Sequence, residues 1–170
     1  YLLTPEYITK DAEKRLDAKI RAEHPDYTGD LGFKIFQTVE HFRQHPDNGF
    51  SPDQMDFPFN DKLSEEQLQT LLTTWTLYDG AALTTPVVPV RLGSYTAYLC
   101  EKRLYLMNAG FTSADLLAFI RKLEDDADFN PNRVIVFGSN MASAMQHELD
   151  QAVRGDTNKK GIELNVIIRV

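Results

Sequence analysis

The chain has 170 residues, a formal net charge of -7 and a single cysteine, with 42% hydrophobic and 25% charged residues. This composition is typical of a folded globular domain, and one cysteine excludes an internal disulfide and any multi-thiolate metal site. The negative charge repels a polyphosphate, so DNA binding would require a local basic surface.

The amino terminus indicates a piece of a longer protein, because Tyr1 stands where an initiator Met would be expected. The first residues lack the basic start and the long apolar stretch of a signal peptide. No apolar run approaches the roughly 20 residues that span a bilayer. We therefore expect a soluble module with a cytoplasmic localisation.

The first predicted element is a helix from about Thr4 to Glu23. Thr4 is a suitable N-cap, and Pro5 suits the first helical position. Apolar residues recur every four positions along this stretch: Ile8, Ala12, Leu16 and Ile20. A short strand over residues 33–39 follows, since that segment is rich in β-branched and aromatic side chains.

Basic side chains share one face of this first helix. Lys10, Lys14 and Arg21 form a stripe that could contact a DNA backbone. Four acidic residues in the same stretch nearly cancel its charge: Asp11, Glu13, Asp17 and Glu23. The alternative is a surface helix with ion pairs between neighbouring side chains, which is the more common use of mixed charge.

Closely spaced prolines, a glycine and three phenylalanines make residues 45–63 irregular, which predicts a linker. The chain is accordingly divided into an N-terminal helix and strand (1–44), this linker (45–63) and a compact α/β domain (64–170).

The compact domain is predicted to begin with a helix whose capping box starts at Ser64 and which ends at Gly80. Residues 87–90 are expected to form an edge strand or extended loop, because Pro89 cannot donate to a central ladder. Two strands, 95–99 and 103–107, then form a hairpin around Glu101 and Lys102.

Helices and strands alternate in the remainder. Ser113 is predicted to cap a helix, residues 134–137 a buried strand, Met141 to Gly155 a helix, and residues 162–168 the last strand. Such alternation implies right-handed crossovers and parallel pairing. The predicted fold is therefore α/β: a mixed sheet with a parallel βαβαβ C-terminal part, preceded by an N-terminal helix and short strand.

The turn after the buried strand is a candidate ligand site. Gly138, Ser139 and Asn140 lie where a parallel strand leads into a helix, the edge at which α/β sheets bind ligands. A single glycine is neither a dinucleotide nor a Walker motif. An ordinary turn with Ser139 or Asn140 capping the helix is favoured over an autonomous nucleotide-binding site.

Other candidates have common structural explanations. His41 and His45 have the spacing of a helical zinc pair but lack further ligands, so a solvated pair is favoured. An acidic run, 124–128, does not alternate ligands as cation loops do and is predicted to be a solvated connection. The hairpin tyrosines could stack on bases, but cross-strand packing is more usual: Tyr95, Tyr98 and Tyr105.

Three blocks in order resemble the C-terminal region of the DNA-modification (Mod) subunit of bacterial type III restriction–modification systems. They are the basic helix leading to the Gly-Phe-Lys-Ile-Phe strand (8–36), the Leu-Thr-Thr-Pro-Val segment (83–87), and the last two strands (133–137 and 162–168).

The resemblance implies an accessory or assembly domain of a DNA adenine N6-methyltransferase that uses S-adenosylmethionine, with residues 1–44 as the junction with the upstream methyltransferase core. It also implies a Mod homodimer, a helicase–nuclease (Res) subunit and DNA as partners, DNA through the parent protein. The family's Asp-Pro-Pro-Tyr and Phe-x-Gly-x-Gly motifs are missing here. No catalytic, cofactor-binding or metal residue is therefore carried over, and the chemistry and its cofactor are expected in the parent protein upstream. The fragment itself is not expected to be an enzyme.

Overall fold

The computed structural model describes residues 2–6, 10–26, 35–39, 63–160 and 164–169. The described helices are α1 (Lys10–Glu23), α2 (Glu65–Tyr78), α3 (Ser113–Asp125) and α4 (Ser143–Lys160). The described strands are β1 (Leu2–Glu6), β2 (Ile35–Val39), β3 (Val88–Leu92), β4 (Tyr95–Cys100), β5 (Arg103–Leu106), β6 (Arg133–Phe137) and β7 (Asn165–Arg169). The predicted linker except its last residue, Leu63, lies outside the described residues, and so do His41 and His45.

The N-terminal part contains a strand that the sequence did not predict. Residues Leu2–Glu6 pair antiparallel with Ile35–Val39, so Thr4 and Pro5 belong to β1 and do not begin a helix. The predicted helix is confirmed only from Lys10 onwards. Pairing with β2 makes this segment a strand. Pro5 is tolerated there because both strands of a two-stranded sheet are edge strands.

The main sheet has five strands in the order β3-β4-β5-β6-β7. Strands β3, β4 and β5 are antiparallel, as the predicted hairpin requires, whereas β5, β6 and β7 run parallel. Pro89 lies in β3 at an edge. The predicted mixed α/β sheet with a parallel C-terminal part is confirmed.

The helix starts show how local chemistry sets the boundaries. Ser64 caps α2 and forms a capping box with Gln67, as the sequence predicts. The prediction for α3 was wrong by one residue, since Thr112 is its N-cap and Ser113 is its first residue. The reason is the reciprocal pair that Thr112 forms with Asp115 three positions later, which satisfies two backbone donors at once.

Helix α4 also differs from its predicted bounds. It begins at Ser143, so Met141 precedes it, and it continues through Gly155 to Lys160. Gly155 keeps a negative φ, whereas Gly80 at the end of α2 has a φ of +91°. Glycine within a helix costs only about 1 kcal/mol relative to alanine, so it does not by itself end one.

Helices cover the sheet on both faces, as expected for a βαβαβ arrangement. Residues from α3 and α4 pack on one face, where Leu104, Val134, Phe119 and Leu149 are inaccessible to solvent. On the other face α2 packs against the side chains that alternate with these, including Tyr105 and Ile135. Val39 of β2 contacts this second cluster. Among the described residues, none of the helices is long and apolar enough to cross a membrane.

Candidate interaction site

The basic face proposed from the sequence lies on α1. Lys10, Lys14 and Arg21 all fall within this helix, and the side chain of Arg21 is exposed. Arg15 and Lys19 are exposed as well. The three basic residues therefore lie on a helix, as predicted. Contact of this stripe with DNA stays a prediction.

The Gly138 turn uses its polar groups internally. The carbonyl of Gly138 accepts hydrogen bonds from the Gln146 side chain at 3.1 Å and from the Met141 N–H at 3.3 Å. The Asn140 amide donates to the carbonyl of Met107 at 2.8 Å, so it links β6 to the end of β5. Ser139 and Asn140 were predicted as possible helix caps, which is wrong because both lie in a short 3-10 turn and α4 starts only at Ser143. This geometry favours an ordinary turn.

The acidic run terminates α3. Asp126 is the C-cap residue; its carboxylate accepts from the Lys122 ammonium at 2.8 Å and from the Asp128 N–H at 3.1 Å. The hydrogen bond from Lys122 lowers the pKa of Asp126. In the described ranges, no group of three or more histidine, cysteine or acidic side chains could hold a metal ion.

The hairpin tyrosines are structural. Tyr95 is buried and donates to the carbonyl of Asn108, while Tyr98 lies opposite Tyr105 and accepts from Gln69. Burial raises the pKa of Tyr95. The expectation of cross-strand packing is confirmed for Tyr98 and Tyr105, and the buried rings of Tyr95 and Tyr105 offer no face for stacking a base.

One carboxylate is fully enclosed within the α3 side of the sheet. Asp115 is 1% exposed and accepts five hydrogen bonds, two from Thr112 and three from the turn residues Ser94 and Tyr95. Burial raises its pKa, but the bonds from Thr112 and Ser94 outweigh burial and lower the pKa to about 2. Asp115 therefore fastens the β3–β4 turn to the start of α3, and all its partners are within the fold.

A second polar cluster joins the end of α2 to the last strand. Asp79, the C-cap of α2, receives two hydrogen bonds from the Arg169 guanidinium, at 2.5 and 3.1 Å. The hydroxyl of Tyr105 donates to the same carboxylate at 2.8 Å. Burial and then this bond to Asp79 raise the pKa of Tyr105, so its hydroxyl remains a proton donor at neutral pH.

Two aromatic rings flank the same guanidinium. The Arg169 Cζ lies 5.3 Å from the ring centre of Trp75 and 5.3 Å from that of Tyr78. Trp75 in turn meets Phe137 edge-on at 5.9 Å. Tyr78 is 81% exposed, and the guanidinium lies over one face of its ring. We call Trp75, Tyr78 and Arg169, with Asp79 beneath them, the Tyr78–Arg169 surface.

Sequence reasoning missed this surface. In the sequence, Trp75 indicates only an apolar position of a helix, and Asp79 and Arg169 are 90 residues apart. Two signals were present in the sequence: Asp79 directly precedes the glycine that ends the predicted helix, and Arg169 follows the apolar residues of the last strand. Neither signal identifies its partner without the sheet topology.

The Tyr78–Arg169 surface offers an exposed aromatic ring over a hydrogen-bonded arginine, and tyrosine, tryptophan and arginine are the residue types that dominate binding at protein interfaces.

Comparison with known proteins places the chain in a family. The sequence profile of the type III R-M EcoP15I C-terminal domain matches residues 66–162. The chain belongs to this family.

Two curated relatives are Mod subunits. The chain is 46% identical over 140 residues to the type III restriction-modification enzyme EcoP15I Mod subunit of Escherichia coli, which covers 82% of this chain. It is 42% identical over 144 residues to the EcoPI Mod subunit of Escherichia phage P1, which covers 85% of this chain. The chain spans 22% of the length of each relative. The resemblance to the C-terminal region of Mod subunits is confirmed.

Proposed function

We propose that this chain is the C-terminal assembly domain of a type III Mod subunit, and that its Tyr78–Arg169 surface docks the helicase–nuclease subunit. The parent protein is a DNA adenine N6-methyltransferase that uses S-adenosylmethionine and acts in the cytoplasm. This proposal rests on the family and on one observation: an 81% exposed tyrosine whose ring lies over an arginine.

Pre-organisation is the physical reason for choosing this surface. An exposed tyrosine normally loses rotamer freedom when it is bound, and that loss weakens binding. Here Tyr78 already lies on Arg169, and Asp79 holds Arg169 through two hydrogen bonds. A partner that covers the ring therefore gains apolar contact at a reduced entropic cost.

The charge balance of this surface argues against nucleic acid as its partner. Asp79 neutralises Arg169, so the surface offers no unbalanced positive charge to a phosphate. The neighbouring exposed side chain of Leu77 is apolar and 38% exposed. An apolar protein surface is the better match.

The test is the affinity of the full-length protein for its purified helicase–nuclease subunit, measured by calorimetry. Tyr78→Ala is expected to weaken binding about tenfold or more, the usual range for a central interface tyrosine. Leu117→Ala is the matched control, because Leu117 is 59% exposed on α3, on the opposite side of the sheet. It is expected to change the affinity less than about twofold. Equal affinities for Tyr78→Ala and the unmodified protein would refute the docking role.

A further inference from the structure

The dipeptide at the end of α2 places a carboxyl side chain directly before an unhindered backbone nitrogen. Asp79 is followed by Gly80, and the sequence has no other Asp-Gly pair. Because glycine has no side chain, its backbone nitrogen is accessible to the carboxyl group of the preceding residue. Attack of this nitrogen on that carboxyl group converts an aspartate to an isoaspartate.

The conversion releases one water molecule and then takes one up. The Gly80 nitrogen bonds to Cγ of Asp79 and loses its proton, while one carboxyl oxygen leaves as water, which closes a succinimide ring. A second water molecule then opens the ring. Cleavage of the new bond restores the aspartate. Cleavage of the original peptide bond leaves the main chain running through Cγ, with a free carboxylate on the former main-chain carbon.

The turn that ends α2 explains why a glycine follows Asp79. The Gly80 N–H donates to the carbonyl of Leu77 at 2.9 Å. The Ala81 N–H donates to the carbonyl of Thr76 at 3.0 Å, and the two bonds together form a Schellman motif. This motif favours a residue with positive φ, and Gly80 has a φ of +91°. The way the helix ends therefore creates the Asp-Gly pair.

Two features of the fold keep the reacting atoms of this pair apart. The Asp79 ψ of 2° places the Gly80 nitrogen next to the Asp79 nitrogen, whereas ring closure requires it next to Cβ, so the peptide plane must first rotate. The carboxylate is held separately, because Arg169 donates to both of its oxygens and Tyr105 donates to one of them. A bidentate guanidinium fixes the orientation of a carboxylate as well as its position. The Asp79 side chain is accordingly only 6% exposed.

We propose that Asp79 is an isoaspartate-forming site, and that the hydrogen bonds from Arg169 and Tyr105 keep it unreacted in the folded protein. The rate of such a reaction follows the population of conformations in which the turn is open. Loss of the hydrogen bonds raises that population. Isomerisation lengthens the main chain before Gly80 by one methylene group and displaces the carboxylate, so Arg169 loses its partner. This inference goes beyond the docking role and does not depend on it.

The experiment incubates the full chain at neutral pH in water labelled with the heavy isotope of oxygen, with no other protein present. Each passage through the succinimide adds one heavy oxygen to Asp79, whether the ring opens to aspartate or to isoaspartate. Mass spectrometry of the proteolytic peptide that contains Asp79 measures the labelling rate. A synthetic peptide of residues 77–82 gives the rate without the fold, and we expect it to exceed the rate in the unmodified protein at least tenfold.

Arg169→Gln removes the guanidinium and should raise the labelling rate of Asp79 about tenfold, the factor that corresponds to the loss of one charge-assisted hydrogen bond. Tyr105→Phe removes only the hydroxyl and should raise the rate about threefold. The matched control is Arg91→Gln, because Arg91 is an exposed arginine whose guanidinium donates to Ser94 and Thr96. It should leave the labelling rate unchanged.

Circular dichroism establishes that each variant is folded at the incubation temperature. If folded Arg169→Gln and Tyr105→Phe both label Asp79 at the unmodified rate, the turn alone protects it and the proposal is wrong. Labelling of the unmodified protein as fast as the peptide would overturn the proposal without any variant, so the test does not depend on the folding of Arg169→Gln. Binding of a second protein enters none of these measurements, which are therefore independent of those for Tyr78→Ala.

Discussion

Replacing Asp115 by asparagine tests whether its enclosed carboxylate fastens the β3–β4 turn to α3. One carboxylate oxygen accepts from the N–H and hydroxyl of Ser94, both at 2.9 Å, and from the Tyr95 N–H at 3.2 Å. The other accepts from the N–H and hydroxyl of Thr112, at 3.0 and 2.6 Å. Asparagine keeps the shape and one accepting oxygen, but its amide nitrogen can only donate.

The magnitude follows from these contacts. The three bonds to the retained oxygen lose the assistance of a charge, at roughly 1 kcal/mol each. The amide nitrogen faces the Thr112 N–H, which leaves a buried donor unpaired at about 1–3 kcal/mol. The Thr112 hydroxyl can rotate and accept. Burying a neutral amide costs less than burying a carboxylate, which offsets part of the loss. We expect Asp115→Asn to lower the free energy of unfolding by about 3 kcal/mol.

The assay is urea unfolding followed by circular dichroism, with the thermal midpoint expected to fall by roughly 6–12 °C. Asp125→Asn is the matched control, because Asp125 is the exposed last residue of the same helix. It removes the same charge and should change stability by less than about 0.5 kcal/mol. A loss below about 1 kcal/mol for Asp115→Asn would show that the five hydrogen bonds are not needed.

Two further predictions concern the same turn. Gly93 has a φ of +62°, and a Cβ there would lie 2.9 Å from the Asp115 carboxylate, whereas a Cβ at Gly110, with a φ of +89°, would meet nothing within 4 Å. Gly93→Ala should therefore cost at least about 1 kcal/mol more in unfolding free energy than Gly110→Ala, and equal costs would contradict the clash. Because the pKa of Asp115 is lowered to about 2, its stabilisation is complete above the ordinary pKa of an aspartate and is lost as the pH falls through about 2. The stability difference between the unmodified protein and Asp115→Asn, measured by urea unfolding from pH 6 to pH 2, should shrink at the acid end; a constant difference would show that this carboxylate does not titrate with folding.

Local signals determined much of the main domain. The Ser64 capping box, the hairpin around Glu101 and the edge position of Pro89 each follow from chemistry within a few residues, and the structure has all three. The parallel part was predictable because strands and helices alternate along the chain. These features depend on short sequence separations.

Features that depend on distant partners were not predictable in this way. Thr4 and Pro5 have the sequence pattern of a helix start, but pairing with Ile35–Val39 makes their segment a strand. The Tyr78–Arg169 surface depends even more strongly on residues that are distant in the sequence. Asp79 and Arg169 are brought together only by the position of β7 beside β6, and the contact of Tyr78 with the guanidinium depends on that pair. No periodicity within α2 or β7 contains this information.

The Asp79–Arg169 pair also makes the contact between Arg169 and Tyr78 depend on completed folding of the main sheet. Arg169 belongs to the last described strand, so the guanidinium reaches Trp75 and Tyr78 only after β7 has added to the sheet. Closing a loop of this length is a late step compared with forming α2, because non-local contacts follow local ones. A chain still being synthesised, or one truncated before β7, therefore lacks this contact. Docking at this surface, as proposed above, would then select finished chains over incomplete ones.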